Sequence, residues 1–284
     1  MASSSEFRYP VRVPCEFEEL AQGMGDQMGQ MVLSSQYPNW KPPFPFDGSC
    51  LSVNRIRDYA GKWQSLDTLY NLPRPEERCH PLVNIRNIQA IRNRLKMVKF
   101  LLEEQLLGLK EIQNPRILEV AAGSAQAVLE VMRDASQQKP EIQALLLDSD
   151  STALAHAVKL ADQWGVKDQI QTVVGNALRP ATAIEQFKPH LIEMVGLADY
   201  LRDGLLRGLL QRFHRLLPPG GVLIVGNVVV GNPEQAFIEG IYKWPRMVYR
   251  EVKELQELIQ GAGFLECTVT TEPHNIHAVA VARK

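Results

Sequence analysis

Hydrophobic residues follow a regular pattern from about Leu82 to the end of the chain. Short apolar runs alternate with stretches in which apolar residues recur every three or four positions, as on one face of a helix. The runs that predict strands are RILEVA, IQALLLD, IQTVVGN, HLIEMVG, VLIVGNVVV, LECTVTTE and IHAVAVARK. Such alternation predicts an α/β, Rossmann-like fold: a mostly parallel seven-stranded sheet with helices on both faces and an antiparallel last strand.

The first 81 residues have a different character. Four prolines, Pro38, Pro42, Pro43 and Pro45, rule out a continuous helix in the middle of this segment. The flanking stretches EFEELAQGMGDQMGQMVLSS and CLSVNRIRDYAGKWQSLDTLY are typical of short helices. We therefore expect residues 1–81 to form a mainly helical N-terminal cap on a core formed by residues 82–284.

Composition narrows the class of partner. The 284 residues are 45% hydrophobic and 22% charged, with a formal net charge of -1, as in ordinary globular proteins. Because nucleic-acid binding usually requires a basic surplus, we expect a small-molecule partner and no nucleic acid. The chain has neither an apolar leader nor an apolar run of about 18 residues, so we expect a cytoplasmic protein without a membrane span. The oligomeric state stays open, with a homodimer as one alternative.

The four cysteines are widely scattered and include no CxxC pair. This spacing favours reduced thiols over a disulfide framework. His274 and His277 lie three residues apart on a stretch predicted to be extended, so their side chains would point to opposite sides. We expect no metal site there.

The first predicted strand runs into a turn that contains a single glycine, in the sequence ILEVAAGSAQA. In an open α/β sheet, ligands bind beyond the carboxyl ends of the strands, where the strand order reverses. A dinucleotide would require G-x-G-x-x-G at this turn, so that its diphosphate could approach the helix. Here only Gly123 is a glycine, with Ala121 and Ala125 on either side. A ligand without phosphates makes a weaker demand, and S-adenosylmethionine is such a ligand.

Polar residues near the ends of the first three strands suit an adenosyl group. Glu119 lies near the end of the first strand, and Asp148 ends the second, where a carboxylate can accept hydrogen bonds from both ribose hydroxyls. After the third strand, the Asn176 amide could bind the adenine amino group and the Ala177 backbone N–H a ring nitrogen.

Structural alternatives remain for two of these carboxylates. Asp148 could instead cap the helix that follows, although Asp150 is the better candidate for that cap. Glu119 could form a structural ion pair with a nearby lysine or arginine. Either alternative would remove the residue from the list of ligand contacts.

Five segments carry a resemblance to a known family. They are RILEVAAGSA, LLLDSD, VVGNA, HLIEMVGLADYL and LLPPGGVLIVGN, in the order and approximate spacing of the motifs of class I S-adenosylmethionine-dependent methyltransferases. The similarity runs from about Leu82 to Lys284 and is greatest to a group of bacterial methyltransferases whose substrates are poorly defined. It implies the class I methyltransferase fold and S-adenosylmethionine as cofactor. The departures from the family pattern are Ala121 and Ala125 for glycines, Glu119 for an aspartate and Asn176 for an acidic residue.

The resemblance also implies roles for residues near the transferred methyl group. Val195 and Gly196, after the fourth strand, would line the methionine end of the cofactor, and Ser149 is a further candidate cofactor contact. Asp199 and Tyr200 follow one turn later and are the candidates for holding or deprotonating the acceptor. Asp199 could equally cap the helix expected to begin near Leu201.

Other candidates come from the residues that flank this core. Arg94, on the helix before the first strand, could contact the cofactor carboxylate. Tyr59 and Trp63 in the cap, and Trp244 and Arg246 in the insert after the fifth strand, are candidate substrate-binding residues. Aromatic rings suit apolar or cationic acceptors, and arginine suits a carboxylate or phosphate. The alternative is that these side chains only pack the cap.

The sequence thus predicts a methyltransferase that uses S-adenosylmethionine and methylates an oxygen or nitrogen atom, less readily a carbon atom, of a small molecule. The main alternative is a binding or assembly module that keeps the fold without catalysis, since Ala121, Ala125 and Asn176 are what partial loss of a cofactor site would leave. A nicotinamide-dependent oxidoreductase is disfavoured because G-x-G-x-x-G is missing.

Overall fold

The computed structural model describes residues 50–71, 83, 85–135, 141–179 and 182–284. The helices of these residues are α1 (Leu51–Asp58), α2 (Trp63–Asn71), α3 (Arg86–Gly108), α4 (Gln126–Ala135), α5 (Ser151–Gln163), α6 (Thr182–Phe187), α7 (Asp203–Leu216), α8 (Gln235–Gly240) and α9 (Val252–Gln260). The strands are β1 (Arg116–Val120), β2 (Gln143–Asp148), β3 (Ile170–Val174), β4 (Leu191–Val195), β5 (Val222–Val228), β6 (Glu266–Thr271) and β7 (His277–Arg283). None of the helices in these ranges is long and apolar enough to cross a bilayer.

The strands form one sheet in the order β3-β2-β1-β4-β5-β7-β6. Strands β1 to β5 pair in parallel, and β7 runs antiparallel between β5 and β6. The predicted seven-stranded sheet with its antiparallel last strand is confirmed. Since the strand order reverses between β1 and β4, the crevice expected to hold a ligand opens at the carboxyl ends of these two strands.

Two hydrophobic clusters cover the two faces of the sheet. Successive side chains of a strand point to opposite faces, so Leu118 and Val120 of β1 pack towards α7 and α9, whereas Ile117 packs towards α3, α4 and α5. The parallel strands are therefore buried on both faces, which is why they appear in the sequence as continuous apolar runs.

A third hydrophobic cluster joins the N-terminal helices to the insert after β5, residues 229–251. Val53 and Leu69 from α1 and α2 pack with Phe237 and Tyr242 of the insert. The N-terminal helices and the insert, which are far apart in the sequence, thus share one hydrophobic core. The predicted helices in CLSVNRIRDYAGKWQSLDTLY are confirmed as α1 and α2. The other predicted cap helix lies outside the described residues, as do Cys15 and Cys79, whereas Cys50 is buried and Cys267 is partly buried.

The N-terminus of α3 is capped from a distance. Its N-cap residue, Ile85, offers no side-chain acceptor. Instead, the fully buried Glu234 of the insert accepts hydrogen bonds from the backbone N–H groups of Arg86, at 3.1 Å, and Asn87, at 2.6 Å. A helix N-terminus leaves such N–H groups without partners and favours a negative charge. Glu234 thereby fixes the start of α3 against the insert.

We predict that Glu234→Gln lowers the free energy of unfolding by about 1.5–3 kcal/mol, because it removes a buried charged acceptor and turns an amide group towards a backbone N–H. Urea denaturation measures the difference. Glu257→Gln, at an exposed position on α9, is the control and should change stability by less than about 0.5 kcal/mol. Equal stability of the Glu234→Gln variant and the wild type would contradict the proposed cap.

Candidate active site

Three adjoining spaces open at the carboxyl ends of β1, β2, β3 and β4. The largest, of about 280 Å³, lies against the turn after β1 and the loops after β2 and β4. A second, of about 260 Å³, extends from it towards the end of β3, and a third, of about 70 Å³, lies deeper between β1, β4 and α3. Each of the ten predicted cofactor residues lines at least one of these spaces: Arg94, Glu119, Ala121, Gly123, Asp148, Ser149, Asn176, Ala177, Val195 and Gly196.

The turn after β1 has an unusual backbone. Ala121, Gly123 and Ala125 all have positive φ values, of 57°, 55° and 54°. This left-handed conformation suits glycine and costs other L-residues roughly 1–2 kcal/mol, because the Cβ atom crowds the following carbonyl. The alanines therefore keep the path of a glycine-rich loop at an energetic cost. A Cβ atom on Gly123 would lie 3.7 Å from Cβ of Trp63, so the backbone conformation, rather than lack of space, favours glycine here.

Asp148 joins the turn after β1 to the loop after β2. Its Oδ2 accepts a hydrogen bond from the Gly123 N–H at 2.8 Å, and its Oδ1 accepts one from the Asp150 N–H at 2.8 Å. The N-cap of α5 is Asp150, which accepts from the Thr152 N–H at 2.8 Å. The alternative that Asp148 is the cap is therefore wrong. Its half-buried carboxylate instead lines both larger spaces.

The loop after β3 is also held locally. Oδ1 of Asn176 accepts a hydrogen bond from the Leu178 N–H at 2.8 Å, and the Ala177 carbonyl accepts one from Nη2 of Arg212 at 2.6 Å. The Asn176 amide nitrogen has no such backbone contact among the described residues. This fixed loop forms one wall of the second space.

A pair of buried carboxyl groups lies beneath the turn. Glu119 of β1 and Glu193 of β4 are directly paired in the sheet, and each is 5% exposed. The structural ion pair expected as an alternative for Glu119 is not found, since its Oε2 has no hydrogen-bond partner in the described part of the chain. Burial, together with the neighbouring Glu193, raises the pKa of Glu119 well above its usual range. Burial also raises the pKa of Glu193, to about 8, so the pair retains protons at neutral pH.

Arg94 is the charged centre of the inner wall. It is 6% exposed and lines both the largest and the deepest space. Its Nη1 lies 3.7 Å from Oδ2 of Asp199 and 3.4 Å from Nδ1 of His277, and the Tyr70 hydroxyl lies nearby. A buried guanidinium requires such partners, because an unpaired buried charge is costly.

Asp199 ties the loop after β4 to β5. Its Oδ1 accepts a hydrogen bond from the Val228 N–H at 2.7 Å, and the carboxylate is only 3% exposed. Burial raises its pKa, an effect that nearby Arg94 opposes. Helix α7 begins at Asp203 with Arg202 as its N-cap, so the interpretation of Asp199 as a helix cap is wrong.

Tyr200 also lines the largest space. Its hydroxyl accepts a hydrogen bond from Nε1 of Trp244 at 3.0 Å. Partial burial and the neighbouring Asp199 carboxylate raise the pKa of Tyr200 to about 12. The phenol therefore keeps its proton at neutral pH.

Two of the four predicted substrate-binding residues line the largest space, and two do not. Trp63 stacks on His156 at 4.4 Å between ring centroids and donates a hydrogen bond to Thr152 Oγ1, so that α2 closes over α5. Trp244 lines the opposite wall. Tyr59 and Arg246 are exposed and lie outside the lining.

The packing of two loops explains both exceptions. A Cβ atom on Gly61, in the turn between α1 and α2, would come within 2.8 Å of the Pro245 ring. Pro245, and not Arg246, therefore makes the contact between the insert and this turn. Tyr59 lies at the end of α1, before the turn reaches the cavity, and is 40% exposed.

Sequence reasoning missed several lining residues: Lys62, Leu66, Asn87, Ile91, Met247 and His277. Asn87, Ile91 and Arg94 have the spacing of one helix face, which was a usable signal. His277 begins β7, and because β7 is antiparallel to β5, its first residue lies at the edge where the parallel strands end.

No cluster of three or more histidine, cysteine, aspartate or glutamate residues that could hold a metal occurs in the part of the chain described. His274 and His277 do not converge on a common point. Nε2 of His274 lies 2.9 Å from Oε1 of Gln89, whereas the His277 ring lines the cavity.

We predict that Ala121→Gly stabilises the protein by about 1 kcal/mol, since it removes a Cβ atom from a left-handed residue that is only partly buried. Urea denaturation measures the gain. The neighbouring Ala122, which has a negative φ, is the matched control, and Ala122→Gly should destabilise by about 0.5–1 kcal/mol. A loss of stability in both variants would show that the turn is not strained at Ala121.

The pKa of Glu193 predicts a dependence of stability on pH. Because its pKa is higher in the folded chain, about 8 against 4.5, the folded state binds the proton more tightly. The free energy of unfolding should therefore fall as the pH rises from about 4.5 to about 8. Glu193→Gln should show a smaller fall over this range, measured by urea denaturation at several pH values. Parallel pH profiles for the variant and the wild type would contradict the prediction.

Solved structures show the same fold. A Bordetella parapertussis structure, described as a possible exported protein, has a TM-score of 0.67 at 17% identity and covers 93% of this chain and 95% of its own. An O-methyltransferase family protein from Burkholderia thailandensis has a TM-score of 0.56 at 14% identity, over 94% of this chain and 70% of its own. An O-methyltransferase family 2 protein from Planctomyces limnophilus, in complex with apigenin, has a TM-score of 0.51 at 16% identity, over 100% of both chains.

Sequence comparison gives the family. No curated protein has a sequence that matches this chain. The model of the family described as "Putative methyltransferase" (Methyltransf_20) matches residues 80–284, which is more than half of the chain. The protein therefore belongs to the Methyltransf_20 family, and its fold is that of the class I S-adenosylmethionine-dependent methyltransferases.

Proposed function

We propose that the protein transfers a methyl group from S-adenosylmethionine to an oxygen or nitrogen atom, less readily a carbon atom, of a small molecule. One observation carries the proposal. The three adjoining spaces at the point where the strand order reverses are lined by the ten residues expected to contact this cofactor. The turn after β1, which lines these spaces, lacks the G-x-G-x-x-G pattern that a dinucleotide requires.

The residues present fit an adenosyl sulfonium compound from one end to the other. Asn176 and Ala177 would bind the adenine, and Asp148 with Ser149 would bind the ribose hydroxyls. Arg94 would bind the carboxylate of the methionine end. The unpartnered Oε2 of Glu119 is a buried carboxyl oxygen that would accept a hydrogen bond from the cofactor's ammonium group, whose positive charge would favour the ionised form of Glu119. Val195 and Gly196 would lie beside the sulfonium.

S-adenosylmethionine supplies an activated methyl carbon, so the protein has to align the acceptor and exclude water. Leu66, Ile91, Trp244 and Met247 make the acceptor side of the cavity largely apolar. Tyr200 would hold the acceptor, and Asp199, fixed by the Val228 N–H and Arg94, would position the loop after β4 behind it. Since Tyr200 keeps its proton at neutral pH, it would act through hydrogen bonds and not as a base.

Two structural neighbours support oxygen as the accepting atom. The Burkholderia and Planctomyces proteins are described as members of O-methyltransferase families, and the latter was crystallised with apigenin. The cavity size and the near-neutral net charge of -1 favour a small acceptor over nucleic acid.

We predict that Asp148→Ala weakens binding of S-adenosylmethionine by about 1.5–3 kcal/mol, the range for hydrogen bonds to a charged group. Isothermal titration calorimetry measures the dissociation constant, which should be micromolar for the wild type. Asp162→Ala, at an exposed position on α5, is the matched control and should bind as the wild type does.

Two outcomes would count against this account. An unchanged dissociation constant in Asp148→Ala would remove Asp148 from the site. Absence of binding to folded wild-type protein would favour the alternative of a methyltransferase-fold binding or assembly module without catalysis.

A further inference from the structure

The His277 imidazole is a buried polar group that the proposed reaction does not yet use. The residue is 4% exposed and lines the largest space. Its Nε2 has no hydrogen-bond partner within the described ranges. Leaving a buried polar atom unpaired is unfavourable, and such an atom beside a cavity indicates a contact completed by a ligand.

Arg94 determines which nitrogen of the His277 ring carries the hydrogen. Nη1 of Arg94 lies 3.4 Å from Nδ1 of His277. A guanidinium has only donors, so Nδ1 must supply the lone pair. Burial and the Arg94 charge lower the pKa of His277 well below its usual value, which leaves the ring neutral. The single ring proton is therefore on Nε2, and the atom without a partner is a donor.

The surroundings hold this arrangement in place. Arg94 is itself held by Asp199, whose Oδ2 lies 3.7 Å from its Nη1. The fully buried Glu272 accepts hydrogen bonds from the backbone N–H groups of Ile276, at 2.8 Å, and His277, at 3.4 Å. These contacts position the start of β7, and with it the ring, beside the loop after β4.

We infer that the Nε2–H of His277 binds the methyl-accepting atom of the substrate, and that this atom is an oxygen already without its proton, as in a carboxylate or a phenolate. The inference rests on the proposed methyl transfer and specifies its acceptor. An amine nitrogen has one lone pair, and a hydrogen bond from His277 would occupy the pair needed for attack. An oxyanion can accept this hydrogen bond and attack with another pair.

The reaction then needs no base. An oxygen lone pair forms the new O–C bond while the C–S bond breaks, and the electrons of that bond remain on sulfur. The negative charge of the oxygen and the positive charge of the sulfonium are both neutralised, so no proton has to leave. This agrees with a ring whose free nitrogen can donate a proton in a hydrogen bond but cannot accept one.

Methyl transfer from S-adenosylmethionine with a radiolabelled methyl group tests the inference on the full chain. The probes are 4-nitrobenzoate, 4-nitrophenol and 4-nitrobenzylamine, at a pH where the first two are ionised. The wild type should methylate at least one of the two oxyanions, which also tells the carboxylate from the phenolate, and should leave the amine unchanged. His277→Leu should lower kcat/KM for that oxyanion by about 10- to 100-fold. His277→Gln, which keeps an N–H donor, should recover part of the loss.

His277→Gln, which also keeps a hydrogen-bond acceptor for Arg94, should bind S-adenosylmethionine within about twofold of the wild type. Preference for the amine, transfer to none of the oxyanions by a chain that binds the cofactor, or an unchanged kcat/KM in His277→Leu would overturn the inference.

Nitrogen NMR of ¹⁵N-histidine-labelled wild type gives a test that does not depend on the cofactor or on the folding of a variant. The His277 resonances should show a neutral ring protonated at Nε2, and 4-nitrobenzoate or 4-nitrophenolate should shift the Nε2 signal. A ring protonated at Nδ1, or no shift with either compound, would overturn the assignment of His277. Failure of the wild type to bind S-adenosylmethionine, with the Nε2 response intact, would instead overturn the proposed function.

Discussion

The carboxylate of Asp148 holds together the two loops on which the rest of the site depends. Its two oxygens accept hydrogen bonds from the backbone N–H groups of Gly123 and Asp150, both at 2.8 Å. The turn after β1 needs such an anchor because Ala121 and Ala125 adopt a conformation that alanine disfavours. With the turn held, the carboxyl ends of β1 and β2 line the space in which we propose that the adenosyl group binds.

Burial of charge is the second constraint. Arg94, Glu119, Glu193 and Asp199 are each at most 6% exposed. Arg94 and Asp199 carry opposite charges and lie 3.7 Å apart, and the two glutamates reduce their mutual repulsion by retaining protons. Such a network costs stability, and strained or unsatisfied groups of this kind concentrate at functional sites. The stability lost here is offset by three hydrophobic clusters, one of which joins the cap helices to the insert.

Much of the fold followed from the sequence because parallel strands buried on both faces leave continuous apolar runs. That most of the candidate cofactor residues lie close together followed for a related reason: residues at the carboxyl ends of neighbouring parallel strands must converge, wherever the chain places them. What the sequence could not show depends on distant packing. Glu234 caps α3 across 147 residues, and the choice of Trp244 over Arg246 as a lining residue depends on how Pro245 meets Gly61. The positive φ angles of the alanines were hidden because alanine rarely adopts them. From the sequence alone, His277 was considered only as a metal ligand. Because β7 is antiparallel to β5, however, His277 at the start of β7 lies at the edge of the sheet where the parallel strands end.

The proposed function requires that the three spaces bind S-adenosylmethionine. A crystal structure of the chain grown with this compound tests that claim most directly. We expect density for the adenine beside Asn176 and Ala177, the ribose hydroxyls on Asp148, and the methionine end between Arg94 and Glu119. Crystals in which the three spaces hold no cofactor, or hold it with the ribose away from Asp148, would contradict the account.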